Sequence, residues 1–106
     1  VTARRAVTTR RADEDIEHAV SYYLEQGAMD AALSFVDALE SAKALMCRHP
    51  SVGSSGFAAE LGIPELRALA LQTYPYIVFY TDDADVVRVH RVLHSSRDIP
   101  ARFTQS

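Results

Sequence analysis

The sequence predicts an α+β domain: an N-terminal strand, an antiparallel two-helix hairpin, and a three-stranded antiparallel meander that together form one sheet covered on one face. Three observations predict it. Between residues 10 and 46, apolar side chains recur at spacings of three and four, the period of helices with one buried stripe. After residue 65 the pattern changes to short runs rich in valine, isoleucine and aromatic residues, divided by turn formers. Pro50, Gly53, Gly56, Gly62 and Pro64 cluster between these regions and mark a connection. A chain of 106 residues holds one core, so residues 1–106 are read as a single domain.

The elements follow in order. Val7 lies among threonines and arginines, and residues 3–8 are predicted as a strand at a charged sheet edge. Thr9 is placed to cap the next helix, over about residues 10–26, with Asp13, Glu14 and Asp15 near its positive end. Ala12, Ile16, Ala19, Val20 and Tyr23 form its stripe, and Gly27 ends it. A second helix carries the stripe Met29, Ala32, Leu33, Val36, Leu39, Lys43 and Met46 and stops before Pro50, which disfavours helical geometry at His49. So short a link makes the helices an antiparallel hairpin. Residues 50–64 are predicted as a connection with at most one short turn at 57–61. Strands are expected at about 66–72, 75–81 and 86–94, with turns at Tyr74-Pro75 and at residues 81–85. Strict alternation in the last strand would put Val87, Val89, Arg91 and Leu93 on one face and Arg88, His90, Val92 and His94 on the other.

Composition narrows the functional classes. A hydrophobic fraction of 48% with 24% charged residues is that of a globular protein. No apolar run approaches the roughly 20 residues of a membrane span, so a cytoplasmic protein without membrane contact is expected. The single cysteine, Cys47, excludes an internal disulfide and a multi-cysteine zinc site. The net charge of −3 conceals an asymmetry. The first eleven residues hold Arg4, Arg5, Arg10 and Arg11 with no acid, whereas residues 12–42 hold Asp13, Glu14, Asp15, Glu17, Glu25, Asp30, Asp37 and Glu40 with no Lys or Arg. Such a surface repels a phosphate backbone, and direct sequence-specific nucleic-acid binding is not expected.

The histidines carry no metal motif, and no metal or cofactor is expected. His90 and His94 lie four apart, about 13 Å along a strand, too far to share an ion. Ser95 and Ser96 beside His94 lack the geometry of a nucleophile and its base, and Gly53-Ser54-Ser55-Gly56 lacks the lysine of a phosphate loop. What remains is a polar cluster around the end of the last strand: Arg67, Arg91, His94, Arg97, Asp98 and Arg102. Arginine there suits carboxylate or phosphate recognition. The alternative is that Arg67 and Arg91 pair with Glu65 and Asp98 to fasten strands and tail.

Four stretches carry a resemblance: His49-Pro50-Ser51-Val52-Gly53, Glu65-Leu66-Arg67, Tyr74-Pro75-Tyr76-Ile77-Val78-Phe79-Tyr80, and Arg91-Val92-Leu93-His94 running on to Arg97-Asp98-Ile99-Pro100. In this order they resemble the ParE branch of the RelE/ParE toxin superfamily, over about residues 3–103. The resemblance implies a toxin of a type II toxin–antitoxin module, of the plasmid-stabilising kind, that poisons DNA gyrase through its A subunit and is neutralised in a hetero-oligomer with a ParD-like antitoxin. It implies target contacts at the C-terminal end, with Arg91, His94, Arg97, Arg102 and Phe103 as candidates. Antitoxin binding is expected on the helix hairpin and the open sheet face, with Tyr22, Leu24, Glu25, Asp30, Phe35 and Asp37 as candidates.

The RelE branch is a set of ribosome-dependent mRNA endoribonucleases with basic residues on the first two meander strands. Here those strands read Ala68-Leu69-Ala70-Leu71 and Tyr76-Ile77-Val78. No catalytic residue is therefore assigned, and His94 would serve only under the endoribonuclease alternative. A further alternative is a non-toxic corepressor that only binds the antitoxin. The tail beyond Ile99 is expected to add little to the core and to act in toxicity.

Overall fold

The computed structural model describes residues 4–96 and 99–104, the side chain of Thr104 apart. Its elements are β1 (Arg5–Thr8), α1 (Arg10–Glu25), α2 (Met29–Arg48), α3 (Ala58–Leu61), β2 (Arg67–Ala70), β3 (Tyr76–Asp83), β4 (Val86–His94) and α4 (Ile99–Thr104). The sheet order is β1-β4-β3-β2, with β1 parallel to β4 and the other pairs antiparallel. The predicted edge strand, hairpin and meander are all present. Among the described residues, no helix is long and apolar enough to cross a membrane.

Local chemistry accounts for the boundaries. The Thr9 hydroxyl accepts the Ala12 amide at 3.1 Å and caps α1. Gly27, at φ 71°, supplies the left-handed residue that separates the helices. The two-residue turn between β3 and β4 places Ala84 at φ 66°, a conformation that non-glycine residues rarely adopt.

Three features differ from the sequence expectation. The buried stripe of α2 is Ala32, Phe35, Leu39, Ala42, Met46 and Cys47, while Met29, Leu33 and Val36 are exposed. Alpha2 carries two apolar stripes over its first turns, and the aromatic one goes inside because Phe35 packs against the rings of Tyr23, Tyr74 and Tyr76. Phe35 is fully buried, so it cannot touch an antitoxin.

The second difference is the alternation of β4. Phe79 pairs with Arg91 but Tyr80 pairs with Val89, so His90 is an inserted residue in a β-bulge. The insertion reverses parity: Val92 joins Val87 and Val89 in the core under the helix hairpin, while Leu93 faces the other way.

The third difference is that the other sheet face is covered too. Leu66, Ala68, Phe79, Leu93, Ile99 and Phe103 form a second core, joined by Phe57, Leu61 and Ile63 from around α3. Phe103 stacks edge-on against Phe79 at 5.4 Å and is only 8% exposed. The tail is therefore a core element, contrary to expectation, because α4 turns Ile99 and Phe103 onto the sheet.

Candidate docking surfaces and the motif residues

The residues that carry the family resemblance converge on two structural locks. In the first, the Tyr80 hydroxyl donates to the Pro50 carbonyl at 2.8 Å and accepts the Gly53 amide at 2.9 Å. A Cβ on Gly53 would lie 2.8 Å from the Tyr80 ring, so only glycine fits against the tyrosine. Arg67 donates to the Gly53 carbonyl at 2.8 Å and to that of Ser51 at 3.3 Å. It thus fastens the loop rather than pairing with Glu65, which is exposed. Burial raises the Tyr80 phenol above its ordinary pKa, and the hydroxyl stays a donor.

In the second lock, Arg91 is 7% exposed and its guanidinium meets Asp15 of α1 at two points, 2.7 Å and 2.8 Å. Its remaining Nη donates to the Arg102 carbonyl at 2.7 Å, at the end of α4. Asp15 also accepts the Val92 amide at 3.0 Å. One carboxylate thus ties α1, β4 and, through Arg91, the C-terminal helix. Arg91 is a fastener here and its guanidinium is not offered to a target. Its partner is Asp15 from far upstream, a contact no sequence spacing signalled. Asp98 and Arg97 lie outside the described residues.

The other target candidates are placed as follows. His94 is half-buried, packs edge-on against Tyr76 at 5.2 Å, and its Nδ1 accepts the Ser96 amide at 3.1 Å. Arg102 is partly exposed beside it, whereas Phe103 is core and is removed from the list of contact residues. His94 and Arg102 line a common cleft of about 720 Å³, together with His18 and Tyr22 of α1.

The antitoxin candidates are exposed on the hairpin, Phe35 excepted, with Tyr22 and Leu24 on different sides of α1. Tyr22 and Leu24 on α1 are 54% and 46% exposed. Met29, Leu33 and Val36 on α2 extend the same apolar character, at 63%, 61% and 36% exposure. Sequence reasoning assigned those three to the core, and the signal that could have separated them was the continuation of their stripe into Glu40 and Lys43. Glu25, Asp30 and Asp37 are all exposed around these apolar groups. Met29, Leu33 and Val36, at spacings of four and three, form one exposed apolar stripe on α2, and an exposed apolar stripe bordered by charge is a usual form of a protein-binding site.

The fold has a solved counterpart. A chain of the chromosomal ParDE toxin–antitoxin system from P. aeruginosa is similar with a TM-score of 0.71 and 16% identity, covering 87% of this chain and 96% of that one. No curated protein matches the sequence. The family described as the ParE toxin of the type II toxin–antitoxin system, parDE, matches residues 7–99. That match runs from β1 through both locks to the start of α4, and the chain belongs to the ParE toxin family.

Proposed function

We propose that this chain is a ParE-like toxin that poisons DNA gyrase, and that a ParD-like antitoxin neutralises it by laying an amphipathic helix on the outer face of the α1–α2 hairpin. The observation that carries the reading is the exposed apolar stripe of Met29, Leu33 and Val36 on α2, with Leu24 exposed at the end of α1 and Glu25, Asp30 and Asp37 exposed nearby in sequence. A partner helix would bury these groups and present Lys or Arg to Glu25, Asp30 and Asp37.

Action by binding, without covalent catalysis, is the second half of the proposal. On the strands that carry basic residues in the endoribonuclease branch, Arg67 is held by the Gly53 and Ser51 carbonyls and is followed by Ala68, Leu69 and Ala70, the next strand has Ile77 and Val78, and Arg91 is committed to Asp15. These residues offer no charge to a cyclising phosphate. The protein acts in the cytoplasm in this reading, where gyrase and the antitoxin are found.

The test combines purified protein, gyrase and supercoiled plasmid. Accumulation of cleaved plasmid, prevented when the antitoxin is added first, is the expected result. Intact plasmid together with codon-specific cuts in ribosome-bound mRNA, lost on His94→Ala, would replace the gyrase reading with the endoribonuclease. Intact plasmid and intact mRNA, with antitoxin binding retained, would leave the corepressor.

A further inference from the structure

The proposed function assigns nothing to the cleft between α1 and the end of β4. At about 720 Å³ it has the volume of a small-molecule site, and half-buried or exposed polar side chains line it: His18, Tyr22, Tyr76, His94, Ser96 and Arg102.

The hydrogen-bonding capacity left in this cleft belongs to donors. Asp15 is the one acidic side chain among its described lining residues, and both of its oxygens are engaged: Oδ1 accepts from Arg91, and Oδ2 accepts from Arg91 and from the Val92 amide. Its charge is thereby balanced by Arg91. At His94, the Ser96 amide donates to Nδ1 at 3.1 Å, which places the ring's proton on Nε2 and makes that nitrogen a donor. Nε2 has no hydrogen-bond partner among the described residues. Arg102 adds a permanent cation, because the Arg91 lock takes its backbone carbonyl and not its guanidinium. An anion suits these groups, and a cation does not.

The rings narrow the ligand further. Tyr22 is 54% exposed although Tyr23 packs edge-on against it, and Tyr76 packs edge-on against His94 at 5.2 Å. Aromatic side chains of this kind offer π surface to a planar ring. Glu14 and Glu17 stand exposed on α1 beside Asp15 and His18, so a strand of nucleic acid would set successive phosphates against them. A ligand with a single phosphate avoids that repulsion.

We infer that the cleft binds a free nucleoside monophosphate, with its base against Tyr22 and Tyr76 and its phosphate held by the Arg102 guanidinium and His94 Nε2. A guanidinium meets phosphate oxygens as a fork, and the imidazole N–H adds one further charge-assisted bond. The inference goes beyond the gyrase reading and does not rest on it.

The test titrates the full chain with adenosine 5′-monophosphate by NMR. Saturable shifts at Tyr22 and His94 are expected, with a dissociation constant at or below about 1 mM. Adenosine lacks the phosphate and ribose 5-phosphate lacks the base, and each should bind about tenfold more weakly. Tyr22→Ala should cost about tenfold in affinity for the nucleotide but little for ribose 5-phosphate. Arg102→Gln should cost a similar factor for the nucleotide but little for adenosine. Met29→Ser lies outside the cleft and should bind as the native chain does.

Absence of saturable shifts at about 10 mM nucleotide would overturn the inference. So would equal affinity for the three ligands, or losses in the two cleft variants that fall on every ligand alike, since a change of fold would act in that way. A single-stranded oligonucleotide that displaces the mononucleotide at lower concentration would overturn it too, because the cleft would then belong to a strand. The titration contains neither gyrase nor antitoxin. Its failure leaves the proposed function standing, whereas intact plasmid in the gyrase assay leaves this inference standing.

Discussion

The two regions of this molecule that attract attention in the sequence do opposite work. The motif-rich region, from His49 to Pro100, is largely internal: Tyr80, Gly53 and Arg67 lock a loop to the sheet, and Arg91 locks a helix to it. The outer face of the helix hairpin carries no motif, yet it presents the large exposed apolar side chains Tyr22, Leu24, Met29, Leu33 and Val36. Residues that identify the family here are ones whose geometry has few substitutes, such as a glycine under a tyrosine ring. A docking surface only has to be apolar and shaped to its own partner, and it can vary with that partner. The motifs locate the fold, and under the proposed function the face without motifs is the one the partner covers.

The sharpest way to break this comparison is to remove one member of the buried lock. Asp15→Ala leaves the Arg91 guanidinium buried without its anion, and the expected loss of stability is about 3–5 kcal/mol, read from the urea midpoint. Replacing both by apolar residues, Asp15→Leu with Arg91→Met, should recover most of it, because the dominant cost is the orphaned charge. A double variant as unstable as Asp15→Ala would show that the lock is held by the Val92 amide and the α4 carbonyl instead. Tyr80→Phe comes next: it strips the Gly53 amide and the Pro50 carbonyl of their partner at once. A loss of about 1–3 kcal/mol is expected, with faster amide exchange confined to residues 50–54.

A smaller effect should come from the bulge. His90 is half-buried, its Nε2 lies 2.9 Å from the Thr81 hydroxyl, and burial holds its pKa below the ordinary value, with the Asp83 carboxylate opposing and Arg88 adding to the shift. A depressed histidine pKa means that the unfolded chain binds the proton more readily. His90 therefore contributes stability that is complete above the unfolded value of about 6.5 and is lost as pH falls from there toward the folded value. Asp83 does not blur this window, since its own pKa is lowered, chiefly by its hydrogen bond from Arg88, and its contribution is lost in more acidic solution. The urea midpoint of the native chain should thus decline between pH 7 and pH 5, and His90→Asn should flatten that decline. Parallel declines in both proteins would assign the pH dependence to other groups.

How much of this was legible beforehand follows from the same division. Strand, hairpin and meander were readable because helix and strand periods are local properties, and Thr9, Gly27 and Pro50 punctuate them. The bulge was not, because one inserted residue leaves the run Val86 to His94 looking evenly alternating while it moves Val92 beneath the helices. The orientation of α2 was not, because its first turns are apolar on two sides and only the aromatic neighbours Tyr23, Tyr74 and Tyr76 decide for Phe35. The Asp15–Arg91 pair and the burial of Phe103 are long-range facts with no periodic trace. Of the site, the acidic block was legible as charge and Tyr22 and Leu24 as exposed apolar groups, while Met29, Leu33 and Val36 were mistaken for core and Phe35 for surface.

The smallest expected change in stability is on that surface, and it carries the comparison's strongest claim. Met29 and Leu33 are more than half exposed, so replacing both by serine removes little buried area, and the urea midpoint should move by no more than about ±0.5 kcal/mol. If the face docks the antitoxin, the same pair should weaken the complex by about 100-fold or more, since anchors that become buried on binding contribute mostly to slow dissociation. Reversing Glu25, Asp30 and Asp37 to Lys should instead slow association at low salt and change dissociation little, because rim charges steer encounter and are screened as ionic strength rises. The two variants therefore separate anchor from rim in one kinetic experiment. An unfolding midpoint that drops sharply in the serine variant would make this face part of the core after all. A complex unaffected by either variant would move the antitoxin off the hairpin.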